Sequence, residues 1–92
     1  EPALAWAYQG RGTVLMKKGQ MERAIKDFNR AIEHSPDLVY AYFNRGLAQL
    51  YLGNEAAAQS DFDTCLKLKP DIKAELEDKI GLARHLRNTR KE

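Results

Sequence analysis

The sequence predicts an all-α fold, an α-solenoid of two helix–turn–helix hairpins followed by a C-terminal helix. Two observations carry this prediction: the spacing of the helix-breaking residues and the helical periodicity of the apolar residues between them. Successive prolines lie 34 residues apart, at Pro2, Pro36 and Pro70. Because proline lacks an N–H donor and disfavours α geometry in the preceding residue, these prolines divide the chain into units 3–36 and 37–70 and a remainder, 71–92.

The same offset of 34 residues relates many other identical residues. The pairs are Ala7/Ala41, Tyr8/Tyr42, Arg11/Arg45, Gly12/Gly46, Gly19/Gly53, Ala24/Ala58, Asp27/Asp61, Phe28/Phe62 and Asp37/Asp71. Self-similarity at such a period is typical of repeat proteins, in which each unit packs on its neighbours.

The first unit reads as two helices. Tyr8, Gly12 and Leu15 share one helical face, and Gly19 after two lysines is typical of a helix C-terminus with a left-handed cap. A second periodic set, around Phe28, ends at Ser35-Pro36. We therefore expect helices over 3–18 and 21–34.

The second unit repeats the pattern, with a first helix that ends before Gly53 and a second that ends before Pro70. This predicts helices over 38–52 and 55–68. Beyond it, Leu76, Ile80, Ala83 and Leu86 lie at helical spacing, which predicts one amphipathic helix over 72–89 with Asp71 as its N-cap.

These residues resemble the tetratricopeptide repeat. The resemblance is carried by Tyr8/Gly12/Ala24/Phe28/Ala31/Pro36 and by Tyr42/Gly46/Ala58/Phe62/Cys65/Pro70, where Cys65 replaces the usual alanine. It implies a right-handed α-solenoid and one domain over 1–92, with repeats over about 5–38 and 39–72 and a capping helix over about 72–90. It also implies a non-catalytic protein-interaction module; the alternative is a structural element that ends an array or self-associates, without a ligand of its own.

In this family the first helix of each hairpin lines a concave groove, and the resemblance assigns positions on it. Those we expect to bind a protein or peptide partner are Trp6, Gln9, Thr13, Tyr40, Phe43, Asn44, Leu47 and Tyr51. Phe43, Leu47 and Tyr51 form an apolar stripe apart from the packing face of Tyr42 and Gly46. The alternative is that Phe43 and Leu47 simply pack on the adjacent first helix and on the cap.

One subfamily grips the C-terminal carboxylates of heat-shock chaperones with lysines, asparagines and an arginine along the groove. Gln9 and Thr13 stand where that clamp needs Lys and Asn, and Asp78 stands where it needs Arg. Asn44 matches, but a carboxylate at Asp78 would repel a chaperone tail. We therefore do not expect this segment to bind one.

The sequence gives no indication of an enzyme, a cofactor or a metal site. Cys65 is expected to be a buried structural thiol, and neither His34 nor His85 has a metal-ligating neighbour at suitable spacing. Asp27 and Asp61 are expected to be solvent-side or inter-repeat ion-pair partners.

Charge does not point to a nucleic acid or a membrane, since 15 basic and 13 acidic residues leave a net charge of +2. The basic residues Arg84, His85, Arg87, Arg90 and Lys91 are expected to be solvated and to complement the dipole of their own helix.

A single cysteine favours a reducing compartment, which predicts a cytoplasmic location. Because Glu1–Pro2 resembles the end of a preceding repeat, we expect a fragment of a longer protein, in which the groove or the repeat ends could mediate oligomers.

Overall fold

Five helices in series make up the computed structural model, which describes residues 2–90. They are α1 (Pro2–Lys17), α2 (Met21–His34), α3 (Val39–Tyr51), α4 (Glu55–Leu68) and α5 (Lys73–Arg90), with a 3₁₀ turn over Pro70–Ile72 before α5. No strand occurs in residues 2–90. All five predicted helices, and the all-α class, are confirmed.

The turn inside each hairpin is closed by a glycine in the left-handed region, with φ of +80° at Gly19 and +88° at Gly53. In the first turn the N–H groups of Gly19 and Gln20 donate to the carbonyls of Met16 and Leu15, at 3.0 and 2.9 Å. Gly53 and Asn54 make the corresponding pair of bonds in the second turn, at 3.0 and 2.8 Å. This is the Schellman arrangement, which satisfies the last carbonyls of a helix and reverses the chain.

Within each hairpin, a glycine of the first helix receives the aromatic ring of the second. A Cβ on Gly12 would lie 2.6 Å from Cε1 of Phe28, and one on Gly46 would lie 2.5 Å from Cε1 of Phe62. Both rings are buried. The 34-residue spacing therefore reflects one packing unit used twice.

Helix α2 joins the two hairpins, since Ala31 and Ile32 pack on Leu38 and Ala41 at the start of α3. Phe43 and Leu47 of α3 belong to a second core cluster, whose other members come from α3, α4, the 3₁₀ turn and α5. They are Leu50, Ala58, Phe62, Cys65, Ile72 and Leu76. The core thus continues from the second hairpin to α5.

Two details of the capping helix differ from the sequence prediction. Asp71 is not an N-cap, because it lies inside the 3₁₀ turn and its carboxylate is 3.5 Å from Lys69 Nζ. Leu76 is buried and Ile80 and Ala83 are half-buried, but Leu86 is 47% exposed, so the covered stripe stops before it. No helix within residues 2–90 combines the length and apolar character needed to cross a bilayer.

Candidate functional site

An arginine–aspartate pair fixes the two helices of each hairpin and thereby the surface that α1 and α3 present. Arg11 donates from Nε and Nη2 to Asp27, both at 2.7 Å, and Arg45 donates in the same way to Asp61, at 2.9 and 2.7 Å. Both aspartates are buried, at 5% and 4% exposure. The predicted ion pairing is therefore present, but the prediction that it lies on the solvent side or between repeats is wrong.

The reason is geometric, since each carboxylate points from the second helix into the hairpin, where the guanidinium of the first helix meets it. Such planar two-bond pairs are strong and directional. The hydrogen bond to Asp61 raises the pKa of Arg45 above its ordinary value, and the bond to Asp27 does the same for Arg11.

Polar groove residues meet where α1 lies beside α3. Asn44 Nδ2 donates to Thr13 Oγ1 at 3.3 Å, and that hydroxyl donates to the carbonyl of Gln9 at 2.9 Å. All three side chains are half-buried. The structure thus brings together these three of the predicted binding residues.

Helix α5 covers another part of the predicted set. Phe43 and Leu47 are 3% and 8% exposed and lie in the core cluster that contains Leu76. Tyr40 packs its ring against Phe43 and donates its hydroxyl to Glu75 at 3.0 Å, which raises the pKa of Tyr40. In this structure Phe43 and Leu47 pack on their neighbours, as the alternative interpretation of the stripe expected.

An open apolar cavity of about 420 Å³ remains where the C-terminal parts of α1, α3 and α5 face one another. Leu82 and Leu86 of α5 border it and are 52% and 47% exposed. Its other lining residues are Met16, Lys17, Gly19, Met21, Leu47, Tyr51, Lys79 and Ala83. Sequence reasoning included Leu47 and Tyr51 but missed the wall supplied by α5. The sequence signal for this wall was the spacing of Leu82 and Leu86, which lie four residues apart and therefore on one face of α5.

Trp6 lies near the opposite end of α1 from this cavity and is 61% exposed. We give the name concave groove to the predicted binding surface of Trp6, Gln9, Thr13 and Asn44, together with the cavity bordered by Tyr51. The predicted binding residues that are not fully buried are Trp6, Gln9, Thr13, Tyr40, Asn44 and Tyr51.

The basic end of α5 contacts the second hairpin, whereas the sequence analysis expected it to be solvated and to complement the dipole of its own helix. Arg84 and Arg87 both bind Glu55 at the start of α4, at 3.1 and 2.8 Å, and these bonds lower the pKa of Glu55. Arg87 also donates to the carbonyl of Leu50 at 3.0 Å. These two side chains therefore tie α5 to the second hairpin. Of the other members of the predicted basic cluster, Lys91 lies outside the described residues.

The candidate catalytic and metal-ligating residues occupy structural positions. Cys65 is fully buried, its thiol lies 3.6 Å from the carbonyl of Val39, and burial raises its pKa to about 12. His34 stacks on Tyr8 with ring centroids 5.7 Å apart. Within residues 2–90 no three His, Cys, Asp or Glu side chains come together in a way that could hold a metal ion.

Comparison with protein-family models gives two matches. A family described as "TPR repeat" matches residues 12–53, and one described as "Tetratricopeptide repeat" matches residues 39–72. Together they cover the last part of α1 and all of α2, α3 and α4. Searches of curated proteins and of solved structures gave no significant match to this chain.

Proposed function

Because the chain belongs to the tetratricopeptide-repeat family, whose repeats are generally non-catalytic protein–protein interaction modules, we propose that it binds a segment of a partner protein along the concave groove. The observation that carries this proposal is the open apolar cavity between α1, α3 and α5. The polar row of Asn44, Thr13 and Gln9 lies on two of the same helices, α1 and α3. An apolar cavity with a few convergent polar groups is the usual form of a binding site.

The groove offers two kinds of contact. Leu82, Leu86 and the cavity wall provide apolar area for aliphatic or aromatic anchors, while Asn44 and Thr13 carry donors and acceptors for a peptide backbone. Trp6 adds a large exposed ring at the other end. We expect an affinity in the micromolar range or weaker, corresponding to about 8 kcal/mol or less, because two repeats supply a short groove. A chaperone C-terminal tail is not the partner we propose, since Asp78 of α5 carries the wrong charge for a carboxylate.

The test is a selection of peptides from a random displayed library, followed by titration of the selected peptide into the isotope-labelled chain. Amide shifts should cluster on the groove, and the emission of Trp6 should shift. Asn44→Ala and Leu82→Asp should weaken binding, whereas Leu68→Asp, at an exposed leucine of α4 outside the groove, should not. Shifts that cluster on Arg23, Lys26 and Arg30 of α2, or on the basic end of α5, would contradict groove binding.

A second candidate function is that of a structural element that ends a repeat array. The observation that favours it is the packing of Leu76 on Phe43 and Leu47, which covers part of the surface that a ligand or a further helix would use. In that case the library selection yields no peptide whose binding depends on Asn44 or Leu82.

A further inference from the structure

The cavity between α1, α3 and α5 is mostly apolar, but two cations line it. They are Lys17 of α1 and Lys79 of α5, which belong to different walls, and no acidic residue is among the lining residues. Both lysines are exposed, and neither makes a hydrogen bond or an ion pair with another residue of 2–90. The positive charge at this cavity is therefore not neutralised by the described part of the chain.

The helical segments that form these walls contain no carboxylate. None of the 13 acidic residues lies in α1, in α3 or between residues 79 and 90 of α5. The acids lie instead on α2 and α4, in the first turns of α5, in the connections and at the chain ends. Acids of α2 and α4 pair with four basic residues of the wall segments, namely Arg11, Arg45, Arg84 and Arg87. Lys17 and Lys79 have no such pair, and a cleft lined by one sign of charge attracts the opposite sign.

The acids that lie nearest in sequence stay outside the lining. Glu22 follows Met21 and Asp78 precedes Lys79, but neither of them borders the cavity. Glu75, one helical turn before Lys79, accepts the hydroxyl of Tyr40. Asp78 disfavours a chain-end carboxylate at its own position, whereas carboxylates inside a peptide can meet Lys17 and Lys79.

The rest of the lining suits a bulky apolar side chain. Leu82 and Leu86 border the cavity and are 52% and 47% exposed, and Met16 and Met21 stand in its other walls. Methionine is unbranched and flexible, so it adapts to aliphatic and aromatic side chains alike. The volume of about 420 Å³ lies in the range of about 300–1,000 Å³ that is usual for binding pockets.

This cavity is not the surface on which one hairpin packs against the other. That contact joins α2 to the start of α3, through Ala31, Ile32, Leu38 and Ala41. None of these four residues lines the cavity. An occupant of the cavity therefore adds a contact that the packing of the two hairpins does not already make.

We infer that the cavity holds an acidic segment of a partner protein, in which leucine or phenylalanine is flanked on both sides by glutamate or aspartate. The apolar side chains fill the cavity, and the carboxylates pair with Lys17 on one side and with Lys79 on the other. The inference rests on the proposed groove function and adds to it the chemistry of the partner. Because exposed ion pairs contribute little to affinity, the two lysines chiefly select the partner.

The test compares three short peptides with blocked ends, so that none carries a terminal carboxylate. The first has a central leucine and phenylalanine between two glutamates on each side. The second has glutamine for every glutamate, and the third keeps the glutamates but has serine for leucine and phenylalanine. Titrated into the isotope-labelled chain, the first should shift the amides of Met16, Tyr51 and Leu82. It should bind about three- to tenfold more tightly than the second, and the third should bind more weakly than the first.

Lysine variants show whether the preference for glutamate comes from the cavity. Lys17→Gln/Lys79→Gln should abolish that preference and leave binding of the glutamine peptide unchanged. The matched control is Lys18→Gln/Lys73→Gln, which removes the same charge from two exposed lysines outside the lining. It should retain the preference. Equal loss in the two double variants would mean that net charge is responsible, and it would overturn the inference.

The remaining outcomes separate this inference from the groove function. Equal binding of the glutamate and glutamine peptides would overturn the acidic preference, and the groove function would stand if Leu82→Ser weakened both. Absence of shifts at the cavity with all three peptides at about 1 mM would also overturn the inference. The random library, which has no bias towards acids, would then decide the groove function separately. A concentration-dependent dimer in sedimentation, abolished by Leu82→Ser, would show that a second copy is the occupant and would overturn the inference as well.

Discussion

Arg45 and Asp61 form a two-bond ion pair that joins the helices of the second hairpin, with N–O distances of 2.9 and 2.7 Å. Arg11 and Asp27 form the same pair in the first hairpin. The two pairs differ in the surroundings of the cation, since the Arg45 side chain is 22% exposed and that of Arg11 is 67% exposed. The two hairpins should therefore respond differently when the carboxylate is removed.

We predict that Asp61→Ala lowers the free energy of unfolding by about 3–5 kcal/mol, because it leaves a largely buried guanidinium without its partner. Asp27→Ala should cost clearly less, since Arg11 can return to water. Urea denaturation of the two variants measures the difference. Equal losses, or a larger loss for Asp27→Ala, would contradict this account of the pairs.

The glycines that receive the phenylalanine rings give a second prediction. Gly46→Ala should destabilise the chain by about 1–3 kcal/mol, because the added Cβ would lie 2.5 Å from Phe62 and the hairpin must open to admit it. Gly12→Ala should behave alike through Phe28, where the distance is 2.6 Å. Thermal or urea unfolding measures both effects.

Two other helical glycines serve as matched controls. A Cβ on Gly10 of α1 or on Gly81 of α5 would meet nothing within 4 Å. Alanine favours helix over glycine by up to about 1 kcal/mol, so Gly10→Ala and Gly81→Ala should stabilise the chain slightly. If Gly46→Ala also stabilised the chain, the close approach of Phe62 would not be what requires a glycine at position 46.

A third prediction concerns the cap. Leu76→Ala should cost about 2–5 kcal/mol, because Leu76 is buried against Phe43 and Leu47. Leu82→Ala, at a leucine that is 52% exposed, should change stability by less than about 0.5 kcal/mol. Deletion of residues 73–92 should expose the α3 surface and cause unfolding or aggregation, seen by circular dichroism and light scattering. A truncated chain that melts at the same temperature and stays monomeric would contradict the capping role.

The helices, their turns and the hairpin packing could be predicted from the sequence because each depends on local signals repeated at one offset. Gly19 and Gly53 mark positive φ, and Gly12 with Phe28 marks a close contact that recurs as Gly46 with Phe62. Because each signal occurs in both hairpins, the two copies support each other as evidence for the turns and for the packing of the helices.

The ion pairs show where this reasoning stopped short. The repetition of Asp27 and Asp61 predicts ion pairs, but their polarity favours an exposed position and does not identify the partner of either carboxylate. The signal was present, since Arg11 and Arg45 recur with the same offset of 16 residues from their aspartates. A polar residue that repeats among apolar packing positions is consistent with burial when a charged partner repeats beside it.

The position in which α5 packs could not be predicted from the sequence, because the chain has no second copy of that helix with which to compare it. Its amphipathic pattern predicts a covered face but does not specify which helix covers it. In the structure that choice is made by tertiary contacts, including Tyr40 with Glu75 and Arg87 with Glu55. In this position of α5, Leu76 packs in one cluster with Phe43 and Leu47, whereas Leu82 and Leu86 are exposed at the cavity.

The last prediction concerns the thiol of Cys65. Burial raises its pKa from 9.0 to about 12, because the apolar cluster disfavours the thiolate. Native chain should therefore not react with a disulfide reagent near pH 8, whereas urea-unfolded chain should react fully. The sign of the stability effect follows from the same shift. Well below pH 9 the thiol is neutral in both states, and as pH rises through 9 towards 12 the unfolded state loses the proton first, so folding stability falls.

The matched variant is Cys65→Ala, which places at this position the residue found at the equivalent Ala31. Tyr40, whose pKa is raised from 10.0, also loses its proton more readily in the unfolded chain at alkaline pH, but it does so in both proteins. The difference between native chain and variant therefore isolates the thiol. We expect the unfolding free energy of the native chain to fall more steeply than that of Cys65→Ala above pH 9 in urea titrations. Parallel curves, or rapid modification of the folded chain near pH 8, would mean that the thiol reaches solvent and that the packing around Cys65, Val39 and Ile72 is looser than the structure shows.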